Sequence, residues 1–269
     1  MSTRDTKLHI SVAKGQSIAG TVVRPGTVAP GVLFLHGWGG SQEQYLARAR
    51  EIAALGCVAL TIDFRGHAAS AEERNTVTRE DNLNDAVAAY DRLVAEHPVD
   101  RNSIAVVGSS YGGYLAAILT TLRPVRWLAL RVPALYRDEQ WGEPKQSLDR
   151  DDLRRYRREA IPAQANRALA ACAAFEGDVL IIESEKDDTV PRQTIQNYVD
   201  AAKGAHSLTY RVIGGADHGL SDEKWQRAYT SLLVNWLTEM MFGARSSVTN
   251  AQGSARAGAA ALEAKPTKG

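Results

Sequence analysis

Cysteine is scarce: Cys57 and Cys172 are the only two, far apart and without metal-ligand spacing. That excludes a disulfide framework and a cysteine-built zinc site, and predicts two buried free thiols. Long apolar runs are missing too, so no segment reads as a membrane span. The polar start, Met1-Ser2-Thr3-Arg4-Asp5-Thr6-Lys7, lacks the hydrophobic stretch of a secretory signal, which predicts a cytoplasmic protein. Nor does one sign of charge prevail. Against 32 Lys and Arg stand 31 Asp and Glu, a formal net charge of +1. Neither nucleic acid nor an anionic membrane is therefore an expected partner, whereas a small molecule is. Oligomeric state is not legible. No interior linker divides the chain, so one domain is expected over 1–243. From Ala244 large apolar side chains nearly vanish, which predicts a disordered tail over 244–269.

What the sequence does have is alternation. Leu8 to Ala13 and Ile18 to Arg24, separated by the turn-rich Lys14-Gly15-Gln16-Ser17, predict an antiparallel hairpin. Continuous apolar runs follow at 32–35, 58–62, 104–107, 127–130, 179–182 and 208–213, as strands covered on both faces require. Helical patterns lie between them. The first, Gln42 to Leu55, has Ser41 and Gln44 at capping-box spacing, and the next, Arg79 to Glu96, places Leu83, Val87, Tyr90 and Val94 on one face. Others begin at Tyr111, after Pro191 and at Ser221, the last carrying a Trp225, Tyr229, Leu232, Trp236 stripe that reads as core packing. The pattern predicts a mostly parallel sheet with helices on both faces. Pro133 to about Ala170 is too long and too charged for an ordinary connection, and Asp151 and Asp152 ahead of Arg154, Arg155, Arg157 and Arg158 predict a small helical lid.

Gly108-Ser109-Ser110-Tyr111-Gly112 stands where a buried strand passes into a helix. Gly-x-Ser-x-Gly in that context is a nucleophile elbow: the glycines let strand and helix approach, and the serine oxygen is presented above the sheet. On this motif the chain resembles the α/β-hydrolase family, from the hairpin to about Phe242. Three further segments match it. His36-Gly37-Trp38-Gly39-Gly40 resembles the family's oxyanion loop, which implies that the backbone N–H groups of Trp38 and Tyr111 form the oxyanion hole while His36 braces the loop. Glu183 to Pro191 resembles the acid loop Gly-x-x-Asp-x-x-Val-Pro, with Ser184 in place of the usual glycine. Aligned on Val190-Pro191, it selects Asp187, with Asp188 as the alternative. Gly214-Gly215-Ala216-Asp217-His218-Gly219 stands where the family has its histidine. The resemblance thus implies Ser110 as nucleophile, His218 as base and Asp187 as the acid behind it. His9, His97 and His206 are read as structural. Asp63-Phe64-Arg65-Gly66-His67 resembles a further family loop, and Asp63, Arg65 and His67 are expected to support the site.

The resemblance implies a serine hydrolase that uses no metal or organic cofactor and takes a small-molecule ester. Trp38, Tyr136 and Trp141 are candidates to line an apolar substrate pocket beneath the lid. The His36 to Gly40 loop and short lid are similar to those of cinnamoyl-type esterases, so aromatic carboxylic esters are one candidate. Ser110-Tyr111-Gly112-Gly113-Tyr114 also resembles the elbow of prolyl-oligopeptidase-like peptidases, although the chain is too short for their propeller. Peptidase, aminoacyl hydrolase or thioesterase activity is therefore the alternative. A dehalogenase is disfavoured, because its elbow carries aspartate. The remaining class is a non-catalytic binding protein of the same fold.

Overall fold

The computed structural model describes residues 4–12, 16–24 and 29–263 of the chain, with 244–263 as backbone only. Residue 13, the expected end of the first strand, and residues 14 and 15 of the expected turn lie outside the described residues. The strands flanking it, β1 (Arg4–Ser11) and β2 (Ser17–Arg24), pair antiparallel. Six more follow: β3 (Ala29–Leu35), β4 (Val58–Ile62), β5 (Val99–Ser109), β6 (Trp127–Arg131), β7 (Asp178–Ser184) and β8 (Ser207–Ile213). They form one sheet in the order β1-β2-β4-β3-β5-β6-β7-β8, antiparallel at β1, β2 and β4 and parallel from there on. This is the α/β-hydrolase fold.

Two cores follow from the two-residue period of the strands. In β3, Leu33 and Leu35 pack with α2 (Arg79–Val94), α3 (Tyr111–Leu119) and α6 (Arg192–Ala201) on one face. Val32 and Phe34 pack with α1 (Glu43–Ala54) and α7 (Glu223–Glu263) on the other. A strand buried on both sides has no polar face, which is why these runs read as unbroken apolar segments.

The expected Ser41–Gln44 box on α1 does not form. Gln42 is the N-cap instead, and Asp63 accepts both its backbone N–H at 2.8 Å and its side-chain amide at 2.7 Å, so a tertiary contact displaces the local one. On α7 the cap is Asp222 rather than Ser221: its carboxylate accepts the Lys224 N–H at 2.9 Å. The backbone of α7 also runs through 244–263, where a disordered stretch is expected. An alanine-rich composition that denies a segment a core still favours helix. Residues 264–269 lie outside the described residues.

Between β6 and β7 the chain passes through short helices, including α4 (Arg150–Tyr156) and α5 (Arg167–Ala173). Asp149 caps α4, Asp151 and Asp152 occupy its first turn and Arg154 and Arg155 its last, which complements the helix dipole. In α5, Ala168, Leu169 and Cys172 are buried in the α3 and α6 side of the core. Among the described residues no helix is long and apolar enough to cross a membrane.

Candidate active site

β5 ends at Ser109 and α3 begins at Tyr111, so Ser110 alone turns the chain between a buried strand and a buried helix. It does so at φ 52° and ψ −115°, a region that L side chains rarely occupy. Flanking glycines permit it. A Cβ on Gly108 would stand 2.4 Å from the Gly112 carbonyl oxygen, and one on Gly112 would stand 2.2 Å from that of Leu35. The Ser110 N–H donates to the Arg131 carbonyl, and the Ala134 N–H donates to the Ser110 carbonyl, each at 2.9 Å. The strained residue is therefore held from both sides.

Two loops meet it at the same sheet edge. Asp187, three residues past β7, accepts the N–H groups of Thr189 and Val190 on Oδ1 at 2.9 and 2.8 Å, and its Oδ2 lies 2.6 Å from His218 Nδ1. Asp188 is exposed and bonds only the Thr189 hydroxyl, so the geometry chooses between the two adjacent carboxylates. His218 Nε2 lies 3.0 Å from Ser110 Oγ. With Nδ1–H donating to Asp187, the Nε2 lone pair faces the serine hydroxyl. Two hydrogen bonds keep the loops in register: Gly215 N–H donates to the Glu185 carboxylate at 2.6 Å, and Lys186 N–H to the Ala216 carbonyl at 2.8 Å.

Arg131, at the end of β6, is not among the residues expected at the site. Its Nε donates to Ser109 Oγ at 2.8 Å, and Nη1 and Nη2 both donate to the His218 carbonyl at 2.9 Å. A buried guanidinium thus ties the residue before Ser110 to the His218 loop. Ser184, in the position of the usual glycine, lies at the 3.5 Å edge of this contact. The signal available was one charged residue closing the apolar run Trp127-Leu128-Ala129-Leu130.

On the other side of Ser110 lies the His36 to Gly40 loop. A Cβ on Gly37 would come 3.3 Å from that of Ser110, so this backbone abuts Ser110, and Trp38 follows directly. Tyr111 is the first residue of α3, so its N–H has no partner within the helix. His36 accepts the Phe64 N–H on Nε2 at 3.0 Å and donates from Nδ1 to the Gly37 carbonyl at 2.7 Å, which needs a neutral ring. Burial lowers its pKa accordingly. Behind it, Asp63 holds Gln42, His67 bonds the Arg65 carbonyl, and Arg65 pairs with buried Asp85 at 2.7 Å. Asn82 donates to Asp85 at 3.1 Å and accepts the Tyr111 hydroxyl at 3.0 Å, extending this layer to the residue after Ser110.

Of the expected pocket residues, Trp38 lines a cavity of about 320 Å³ beside Ser110 and His218. Tyr136 and Trp141 do not. Tyr136 is buried against Tyr111 and Tyr114, with ring centroids 5.7 and 4.9 Å away, and Trp141 lies under the guanidinium groups of Arg79 and Arg167 at 5.4 and 4.6 Å. The cavity wall instead includes Arg48 and Tyr229, neither singled out as a site residue from sequence. Among the described residues no cluster of three or more His, Cys, Asp or Glu is arranged to hold a metal ion.

Residues 42–243 match the prolyl oligopeptidase family. An uncharacterized protein of Mycobacterium tuberculosis is 28% identical over 214 residues, which is 80% of this chain and 72% of that protein. Among solved structures, an esterase from Pyrococcus furiosus superposes with a TM-score of 0.66 at 18% identity, over 88% of this chain and 92% of its own. An acylaminoacyl peptidase from Pyrococcus horikoshii superposes with a TM-score of 0.67 at 14% identity, over 88% of this chain and 41% of its own. At these identities the likeness concerns the fold.

Proposed function

Because the chain belongs to the prolyl oligopeptidase family, we propose that it is a serine hydrolase that cleaves small or aromatic carboxylic esters through an acyl-enzyme. The observation that carries this reading is the unbroken line from Ser110 Oγ through His218 to Asp187, with gaps of 3.0 and 2.6 Å. A serine hydroxyl is a poor nucleophile near neutrality. As Oγ attacks the acyl carbon, His218 Nε2 takes its proton and then returns it to the leaving alcohol. Asp187 holds the imidazole tautomer and stabilises the imidazolium. The N–H groups of Trp38 and Tyr111 receive the developing oxyanion, where one donor contributes about 3 kcal/mol of transition-state stabilisation. Water then repeats the sequence on the acyl-enzyme.

Cleavage of aminoacyl amides or thioesters is the second reading. It uses the same three side chains, and the family to which the chain belongs favours it. Ser110→Ala is expected to abolish turnover of p-nitrophenyl acetate and labelling by a fluorophosphonate while leaving the circular dichroism spectrum unchanged. Hydrolysis retained by that variant would overturn the assignment, and a folded wild type that takes up no probe would favour a binding protein. A panel of alkyl esters, aryl esters, thioesters and aminoacyl amides then separates the two catalytic readings by kcat/KM.

A further inference from the structure

The cavity beside Ser110 is walled in part by α1 and α7, and its charge is one-sided. Arg48 and Arg131 both contribute to its wall, together with Gln226 and Tyr229, and no aspartate or glutamate does. The two guanidinium groups share one ring: Arg48 Cζ lies 4.8 Å and Arg131 Cζ 5.6 Å from the Tyr229 centroid. Arg131 is 7% exposed and Tyr229 2%. Among the described residues neither arginine is in an ion pair.

The hydrogen bonds leave donors over. Arg48 Nη1 donates to the Gln44 carbonyl at 2.8 Å, but its buried Nε has no acceptor. The Tyr229 hydroxyl is also buried without a partner. Burial pushes that hydroxyl up to about 12, so it remains a donor at neutral pH. Buried donors without acceptors are costly, and two like charges around one ring repel each other. A bound anion would offset the second cost, the like charge of the two guanidinium groups. A carboxylate suits the place, because its two oxygens can accept together from a planar guanidinium fork.

We propose that this cavity is a carboxylate subsite formed by Arg48, Arg131 and Tyr229, so that favoured substrates carry a free carboxylate on the portion lying toward α1 and α7. The proposal rests on the serine hydrolase reading above for turnover, but not for binding. In it Arg48 is the dedicated anion ligand. Arg131 has a second duty, since it also positions the His218 backbone.

Two measurements test it. The first compares kcat/KM for p-nitrophenyl hydrogen glutarate with that for its methyl ester, and for p-acetoxybenzoate with that for its methyl ester. These pairs place the carboxylate on the acyl and leaving-group sides in turn. In at least one pair the acid is expected to exceed its neutral ester by about ten-fold or more, mainly through KM, with the ratio falling towards one in Arg48→Gln. Because the ratio is taken within each variant, a general change in activity cancels. The second measures glutarate binding by calorimetry to wild type and Arg48→Gln, each checked for an unchanged melting temperature. Saturable binding that is lost in the variant supports the subsite even if no ester is turned over, a result that would count against the hydrolase reading alone. Acid-to-ester ratios at or below one in both pairs, or glutarate binding absent from wild type or equal in the variant, would sink the proposal.

Discussion

Asp187 commits both carboxylate oxygens, one to the turn N–H groups of Thr189 and Val190 and the other to His218. An amide cannot serve both ends. In Asp187→Asn, the NH2 group must face either the turn donors or the imidazole, and the second arrangement favours the wrong His218 tautomer. We expect kcat on an activated ester to fall by about 10⁴-fold with the fold retained. Asp188→Asn should leave kcat within about two-fold, since that side chain is exposed and bonds only Thr189. Comparable losses in both variants would contradict the geometry.

Among the elements, the loop after β4 joins otherwise separate parts of the site. Its Arg65 pairs with Asp85 of α2, and Asn82 of the same helix continues the network to Tyr111 at the head of α3. Thr78 and Asp81 fix the start of α2 with a complete capping box, so the helix meets the loop in one register. Asp85→Ala would leave the Arg65 guanidinium buried without its main counter-charge. Removing one partner of such a pair typically costs about 3–5 kcal/mol. Urea unfolding should show a loss of that order. Asp85→Asn, which keeps a hydrogen-bond acceptor, should lose less.

Across the whole molecule, the same packing makes stability depend on pH. Burial, with His36 close by, lowers the His67 pKa from 6.5 to about 4. Between those values the unfolded chain binds a proton that the folded ring refuses, so stability is complete above about pH 6.5 and declines as pH falls toward 4. The shift corresponds to at most about 3 kcal/mol. Urea midpoints taken from pH 7 to 4.5 should therefore fall more steeply for wild type than for His67→Gln. Parallel curves would show that His67 does not take part.

Much of this architecture was written in local sequence. Strands covered on both faces must be apolar throughout, and a strand-to-helix turn as tight as that at Ser110 excludes a Cβ on either flanking glycine, so the sheet and the elbow could both be read from the residues. The order of the Ser110, Asp187 and His218 loops was legible for the same reason: each follows a recognisable strand. Alignment on Val190-Pro191 selected Asp187 and left Asp188 as the alternative; what the coordinates add is that only Asp187 turns toward His218. Tyr136 and Trp141 were read as pocket residues, but an aromatic ring carries no sign of whether its face meets a cavity or the Arg79 guanidinium. Arg131, Arg48 and Tyr229 are brought to one cavity by the register of β6 beside β5 and by α1 and α7 packing on the same face of the sheet. Sequence by itself determined the scaffold and the order of the reacting groups, whereas tertiary structure alone decided the charge of the space beside them, because that charge is assembled from segments remote along the chain.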